Sequence, residues 1–280
     1  MPPDRYAVIG HPVAHSLSPQ IHALFAAQTG EAMEYAKLEA PLDGFEHFVK
    51  VFFASGCKGC NVTLPFKAEA ADLADVRSPR VELAGAANTL WLQHGKLHAD
   101  NTDGAGLTRD LTVNLGVVLH GYRLLVIGAG GAVAGVCASL LESGIAELTI
   151  ANRTLSKAQA IAATHQALAI KCGVKLKACP LGAVEGEYDL VINAVSAGIY
   201  TELVLPCESV FRSGTYCYDM LYSLQRETPF ITWARLRGLP CVDGLGMLVE
   251  QAAESFRIWR GIKPSTAPVL QALRSQAGRG

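Results

Sequence analysis

The chain has 280 residues, with 24 Lys+Arg against 25 Asp+Glu and a formal net charge of −1. That balance lacks the electrostatic footprint of a general nucleic-acid binder or a polybasic membrane binder. Half of the residues are hydrophobic and 18% are charged, which excludes a disordered chain and provides a core for one large domain or two modest ones.

Strand and helix signals alternate from the start. Residues 6–10 read as a short apolar strand, followed by a polar loop and by Ser18-Pro19. Ser at an N-cap with Pro at the first helical position is a strong helix start, and Ile21, Leu24 and Phe25 supply the apolar face. The spacing predicts a second helix over 43–54, with Phe45, Phe48, Val49 and Phe52 on one side and Gly56 beyond its end. A strand over 58–63 comes next. Gly95 marks a hairpin between 88–92 and 97–102, and a helix over 104–115 aligns Leu107, Leu111 and Leu115. From Gly121 onward the alternation is regular, with strands expected at 123–127, 147–151, 175–179, 189–193, 216–219 and 241–242. Six strands with helices between them suit a doubly wound nucleotide-binding sheet. A last helix over 247–259 shows Leu248, Ala252, Ser255/Phe256 and Trp259 on one face, and the tail after Gly261 has no clear pattern.

No apolar run approaches the ~20 residues of a membrane span, and the first residues carry no apolar signal core. A cytoplasmic location is the expectation. The eight cysteines do not read as a disulfide framework in a chain of this length. Cys57 and Cys60 have metal or redox spacing, but no second ligand pair accompanies them, and Pro12 interrupts the i,i+4 pair His11 and His15. No metal is expected.

Leu124-Leu125-Val126-Ile127 runs into Gly128-Ala129-Gly130-Gly131-Ala132-Val133. A buried strand feeding glycines that open a helix turns backbone N–H groups and the helix dipole toward a pyrophosphate. A plain β-turn-α connection is the other reading, and Val133 breaks the strict dinucleotide pattern. The next strand ends in Asn152-Arg153-Thr154, where an NAD site carries Asp or Glu for the ribose 2′-OH. Arg153 suits a 2′-phosphate through paired, charge-assisted hydrogen bonds. Thr154 adds a hydroxyl and Lys157 a second positive charge, so NADP is favoured over NAD.

In the first half, Asn61-Val62-Thr63-Leu64-Pro65-Phe66-Lys67 puts Asn61 and Thr63 on one side of a strand and Lys67 just past its carboxyl end. Ligands of α/β proteins bind at such strand ends. Asp100-Asn101-Thr102-Asp103-Gly104, Asn88 and His15-Ser16-Leu17-Ser18-Pro19 occupy other strand ends. Together they suit a small polyhydroxylated substrate. Each also has a plainer reading: Ser18 as a helix cap, Asn88 as a turn residue, Lys67 as a surface lysine, Asp103 as an N-cap.

Seven motifs in this order resemble the shikimate dehydrogenase family from nearly one end to the other. They are Val8–Pro19 (VIGHPVAHSLSP), Gly59–Lys67 (GCNVTLPFK), Gly85–Thr89 (GAANT), Asn101–Gly104 (NTDG), Gly128–Ala132 (GAGGA), Asn152–Thr154 (NRT) and Gly244–Ala253 (GLGMLVEQAA). The resemblance implies an α/β protein of two domains. Residues 1–104 plus 245–280 would form the substrate domain, completed by C-terminal helices, and 105–244 a Rossmann-like NADP domain. It implies reversible NADPH-dependent reduction of 3-dehydroshikimate to shikimate, on the way to aromatic amino acids, with Lys67 as acid/base and Asp103 assisting.

By the same analogy Ser16, Ser18 and Tyr222 hold the substrate carboxylate, and Thr63, Lys67, Asn88, Asp103 and Gln251 meet the ring hydroxyls. Gly128, Ala129, Gly130, Gly131, Ala132, Asn152, Arg153, Thr154, Lys157, Met220 and Gly244 would surround NADP. Val195, in Asn193-Ala194-Val195-Ser196-Ala197-Gly198, stands where the family usually has Thr, which removes a polar group near the cofactor. Cys60 fills a position of small residues, as a packed thiol would. Val76-Arg77-Ser78-Pro79-Arg80 is unusual for the family and has no assigned role. Monomer and homodimer both stay open. So do a quinate-acting or NAD-preferring enzyme, a paralogue acting on an aminated analogue, and a nucleotide sensor without catalysis.

Overall fold

The computed structural model describes residues 2–195 and 205–277. Asp4–Gly10 (β1) is buried along its last five residues, and a strand covered on both faces takes parallel neighbours. Ser18–Thr29 (α1) leads from it to Met33–Glu39 (β2), and Phe45–Ala54 (α2) to Gly59–Val62 (β3). Both strands pair in parallel with β1. Lys67–Leu73 (α3), Val76–Arg77 (β4) and Pro79–Ala84 (α4) precede the hairpin Thr89–Gln93 (β5) and Lys96–Asp100 (β6), giving a six-stranded sheet in the order β2-β1-β3-β5-β6-β4.

Asp103–Arg109 (α5) and a π-helical turn over Asp110–Asn114 carry the chain to the second sheet. That sheet comprises Arg123–Ile127 (β7), Glu147–Asn152 (β8), Lys175–Pro180 (β9), Tyr188–Asn193 (β10), Phe211–Asp219 (β11) and Cys241–Asp243 (β12). Gly131–Glu142 (α6), Leu155–Cys172 (α7) and Pro229–Leu236 (α8) connect them. All pairings are parallel and the order is β9-β8-β7-β10-β11-β12, which is the doubly wound arrangement with its switch point beside β7. Along β7, Leu124 and Val126 enter the core on one face while Leu125 and Ile127 enter the core on the other, the period-2 alternation of a strand.

Leu245–Arg260 (α9) and Ala267–Ala277 (α10) return the chain to its beginning. Leu245, Val249, Phe256 and Leu273 share an apolar cluster with Ile21 and Phe25 of α1. Among the described residues no helix is long and apolar enough to cross a membrane.

Several elements differ from the sequence expectation. The N-cap of α1 is Leu17 rather than Ser18, which is the first helical residue and makes no capping bond. Likewise Thr102 caps α5 and Asp103 begins it. β2 is an edge strand whose Glu34, Lys37 and Glu39 obscure the apolar alternation while guarding the open edge. α10 lies in the tail that has no clear pattern; Val269 and Leu273, one turn apart, anchor it. The expected helix over 104–115 widens after Arg109 because Asp110 is held by Tyr218 Oη (2.7 Å) and Asn114 Nδ2 (2.9 Å). The stretch left without a role is a clamp. Ser78 caps α4, and Arg80 donates to both carboxylate oxygens of Asp100 (2.9 and 2.6 Å) and reaches Glu254 of α9 (3.3 Å).

Candidate active site

A cleft of about 370 Å³ opens where the carboxyl ends of β1 and β3 face those of β10 and β11. Lys67, at the start of α3, lies past a turn in which Phe66 N–H donates to Thr63 O (3.1 Å) and a cis peptide precedes Pro65. Its Nζ donates to Asp103 Oδ2 at 2.5 Å, and both side chains are largely withdrawn from solvent, 16% and 8% exposed. The two residues are 36 positions apart in sequence and meet because their strands share a sheet.

Asn88 orders the carboxylate. The Thr102 backbone N–H, an unambiguous donor, donates to Asn88 Oδ1 (2.9 Å), so the amide must turn Nδ2 the other way. That nitrogen donates to Asp103 Oδ1 (2.8 Å), Thr102 Oγ1 (2.9 Å) and Gln251 Oε1 (3.3 Å). In the same cleft the Ser16 and Ser18 hydroxyls lie 3.1 Å apart. Burial pushes the Tyr222 phenol above its ordinary value, so the ring presents a neutral hydroxyl to the same cleft. Thr63 and Gln251, with His15 and Asn61, complete the polar lining. Every residue assigned to substrate by resemblance, Ser16, Ser18, Thr63, Lys67, Asn88, Asp103, Tyr222 and Gln251, lines this one space.

The nucleotide wall follows from close helix packing. A Cβ on Gly135 of α6 would stand 3.0 Å from Asn101 Nδ2 and 3.2 Å from Asp103 Oδ2, so glycine lets α6 come this near without shifting those side chains. Its N-terminus is thereby set beside the ion pair. Gly128, with φ +116°, turns the chain out of β7 where a Cβ would stand 3.2 Å from the Ala194 carbonyl. A Cβ on Gly130 or Gly131 would meet nothing within 4 Å, leaving a bare cradle at the start of α6. Ala132, Met220 and Gly244 line the substrate cleft itself.

Asn152, Arg153, Thr154 and Lys157 sit outside that lining, at the end of β8 and in the first turn of α7, with Arg153, Thr154 and Lys157 exposed. Thr154 is the N-cap of α7 but makes no capping hydrogen bond. The residues present fit a dinucleotide: open glycines at a helix N-terminus for its pyrophosphate and exposed basic groups for a further phosphate. Val195 is partly buried in the apolar cluster under β10, its N–H donating to Asn193 Oδ1 (3.4 Å). Ser196, Ala197 and Gly198 lie outside the described residues. Cys60 is fully buried, and burial pushes its thiol well above the ordinary range.

A hydrogen-bonded layer whose connections sequence reading did not show runs back from Asn61 of the cleft lining. Asn61 Nδ2 donates to Asn88 O (3.0 Å), Thr89 Oγ1 (3.2 Å) and Ser255 Oγ (2.9 Å), and Tyr35 Oη donates to Asn61 Oδ1 (2.7 Å). Ser255 lies four residues after Gln251 on α9, a helical spacing that puts both on one face, and that spacing was the available signal.

The doubly wound sheet, its glycine turn and a facing α/β unit with a lysine–carboxylate pair define a two-domain, dinucleotide-binding protein with a cleft for a small polar molecule. Residues 8–90 match the family described as shikimate dehydrogenase substrate binding domain, 112–212 shikimate / quinate 5-dehydrogenase, and 244–274 the shikimate 5′-dehydrogenase C-terminal domain. The chain is 51% identical over 272 residues to shikimate dehydrogenase (NADP(+)) of Hahella chejuensis, covering 97% of this chain and 98% of that one. Among solved structures, an Ael1 enzyme from Pseudomonas putida superposes with a TM-score of 0.87 at 43% identity, covering 96% and 98% of the two chains. Shikimate 5-dehydrogenase from Thermus thermophilus, in complex with NADP(H) and shikimate, gives 0.83 at 33% identity, covering 98% and 99%. The chain belongs to the shikimate dehydrogenase family.

Proposed function

We propose that this chain catalyses the reversible NADPH-dependent reduction of 3-dehydroshikimate to shikimate. The observation that carries the reading is the Lys67–Asp103 pair at 2.5 Å in a cleft that Ala132, Met220 and Gly244 also line. Bound NADPH supplies a hydride to the carbonyl carbon. Lys67 Nζ lies within the cleft as the proton donor for the oxygen on which negative charge develops, a role that requires hydrogen-bond reach to that oxygen. Asp103 holds the ammonium through Oδ2, is itself held through Oδ1 by Asn88, and accepts from a neighbouring ring hydroxyl.

Thr63, Asn88 and Gln251 meet the ring hydroxyls, and Ser16, Ser18 and Tyr222 take the carboxylate through neutral donors. Gly128, Ala129, Gly130, Gly131 and Ala132 cradle the pyrophosphate; Asn152, Arg153, Thr154 and Lys157 take the 2′-phosphate end; Met220 and Gly244 flank the nicotinamide. The substrate unit is residues 1–104 with 245–280 and the NADP unit 105–244, a division supported by the shared packing of α1, α9 and α10. Monomer and homodimer both remain compatible with this reading; the cytoplasm is the proposed location.

The test is NADPH consumption with 3-dehydroshikimate, run beside oxidation of shikimate and quinate with NADP and with NAD. Turnover of 3-dehydroshikimate with NADPH is expected to dominate. Turnover confined to quinate or to NAD, or none with any pair, overturns the reading.

A further inference from the structure

At the carboxyl end of β11, opposite Asn193 and next to Met220, lies a carboxylate that neither resemblance nor spacing singled out. Asp219, the last residue of β11, is 1% exposed. Three donors from three segments converge on it. Asn193 Nδ2, at the end of β10, and Leu221 N–H, in the loop after β11, donate to Oδ1 at 3.0 and 3.1 Å. Thr228 Oγ1 donates to Oδ2 at 2.5 Å while accepting from Ile231 N–H as the cap of α8.

Two of the three segments, those of Asn193 and Leu221, continue directly into the cleft. Asn193 is followed by Ala194, and Leu221 stands between Met220 and Tyr222; all four of Ala194, Met220, Leu221 and Tyr222 line the space. Backbone bonds alone join these loops sparsely, with Met220 N–H on Asn193 O (2.8 Å) and Gly244 N–H on Leu221 O (2.9 Å). We propose that Asp219 is a positioning residue, a buried three-way acceptor that fixes the loops presenting Met220 to the nicotinamide and Tyr222 to the substrate carboxylate. This rests on the roles proposed above for those two side chains.

The chemistry favours an acceptor-only group, because two oxygens face three donors. Burial raises the Asp219 carboxyl from its ordinary value to about 6, with the three hydrogen bonds opposing that rise and nearby Asp243 adding to it. A buried carboxylate held without a cationic partner among these influences costs folding stability. Its service therefore lies in where it holds the loops.

Asp219→Ala strips all three donors of their acceptor. Asp219→Asn keeps an oxygen for Asn193 and Leu221 and can donate its own N–H to the Thr228 oxygen. NADPH titration followed by dihydronicotinamide fluorescence reads the effect without any assumption about the substrate, and KM for shikimate reads it at Tyr222. Asp219→Ala is expected to weaken NADPH binding and raise that KM by about tenfold each, the scale of one or two lost hydrogen bonds, with Asp219→Asn within about threefold of wild type. Constants for Asp219→Ala within about twofold of wild type, or equal impairment of both variants, overturn the proposal. If Asp219→Ala does not fold, Thr228→Val against Thr228→Ser gives the same comparison through Oδ2 alone. Weaker NADPH binding by Thr228→Val only supports the clasp, and indistinguishable variants refute it. Failure of wild type to oxidise shikimate with NADP would instead refute the parent reading, while the NADPH titration would still judge Asp219.

Discussion

Lys67 and Asp103 form a short ion pair whose geometry is imposed from outside by Asn88. Lys67→Ala should lower kcat by about 10²–10⁴-fold, the span of a positioned acid or base, with KM changing far less. Steady-state kinetics checks this, and near-normal turnover would remove Lys67 from the role. At the other end of the nucleotide site, Arg153→Asp should lower kcat/KM with NADPH by about ten- to a hundredfold while sparing NADH, since a charge-assisted contact is lost and repulsion gained. An equal loss with both coenzymes would show that Arg153 does not read the 2′-phosphate.

His22 extends the residue argument to pH. Packed against Phe25 and Phe256 and stacked on Tyr35 at 4.2 Å, it is driven by burial from 6.5 to about 3, with a contact to Asn61 opposing. Between those values the unfolded chain binds a proton at this site that the folded chain refuses, so stability falls as pH falls through the window. Urea unfolding at pH 7.5 and 5 should show wild type losing about 2 kcal/mol more than His22→Phe, at roughly 1.4 kcal/mol per pH unit below 6.5. Parallel losses in the two proteins would contradict this.

The decisive elements are pairs of helices in near contact. A Cβ on Gly106 of α5 would lie 2.7 Å from Gln251 Cβ and 2.8 Å from its backbone N on α9. Gly106→Ala must therefore push α9 away, costing about 1–3 kcal/mol of stability as overpacking does, and should raise KM for shikimate because Gln251 moves with its helix. Thermal melts and kinetics test both parts; an unchanged Tm would mean that the helices yield freely. The regular strands of the second half were legible because β7 and β10 are continuous apolar runs with glycines and polar groups at their ends. The residues at strand ends, Lys67 and Asp103 among them, were legible for the same reason. The short elements α3, β4 and α4 were not, being less than two turns or a bare pair of residues, too short to display a period. Nor was the Tyr35–Asn61–Ser255 layer, since it joins three distant segments and β2 hides its strand character behind edge charges.

At the scale of the molecule, ligand binding and folding share one free energy. NADPH at about 100 times its dissociation constant should add about 2.7 kcal/mol of stability, and NADH at the same concentration less. Differential scanning fluorimetry with each coenzyme checks this; equal shifts would count against selective binding. The second sheet is built from an uninterrupted run of chain, β7 to β12, whereas Ile21 and Phe25 of α1 find their packing partners on α9 and α10. During vectorial synthesis, when domains assemble as units while the ribosome is still extending the polypeptide, the middle of this protein is free to fold before its beginning. α1 must wait, its apolar side uncovered, until α9 and α10 have left the exit tunnel.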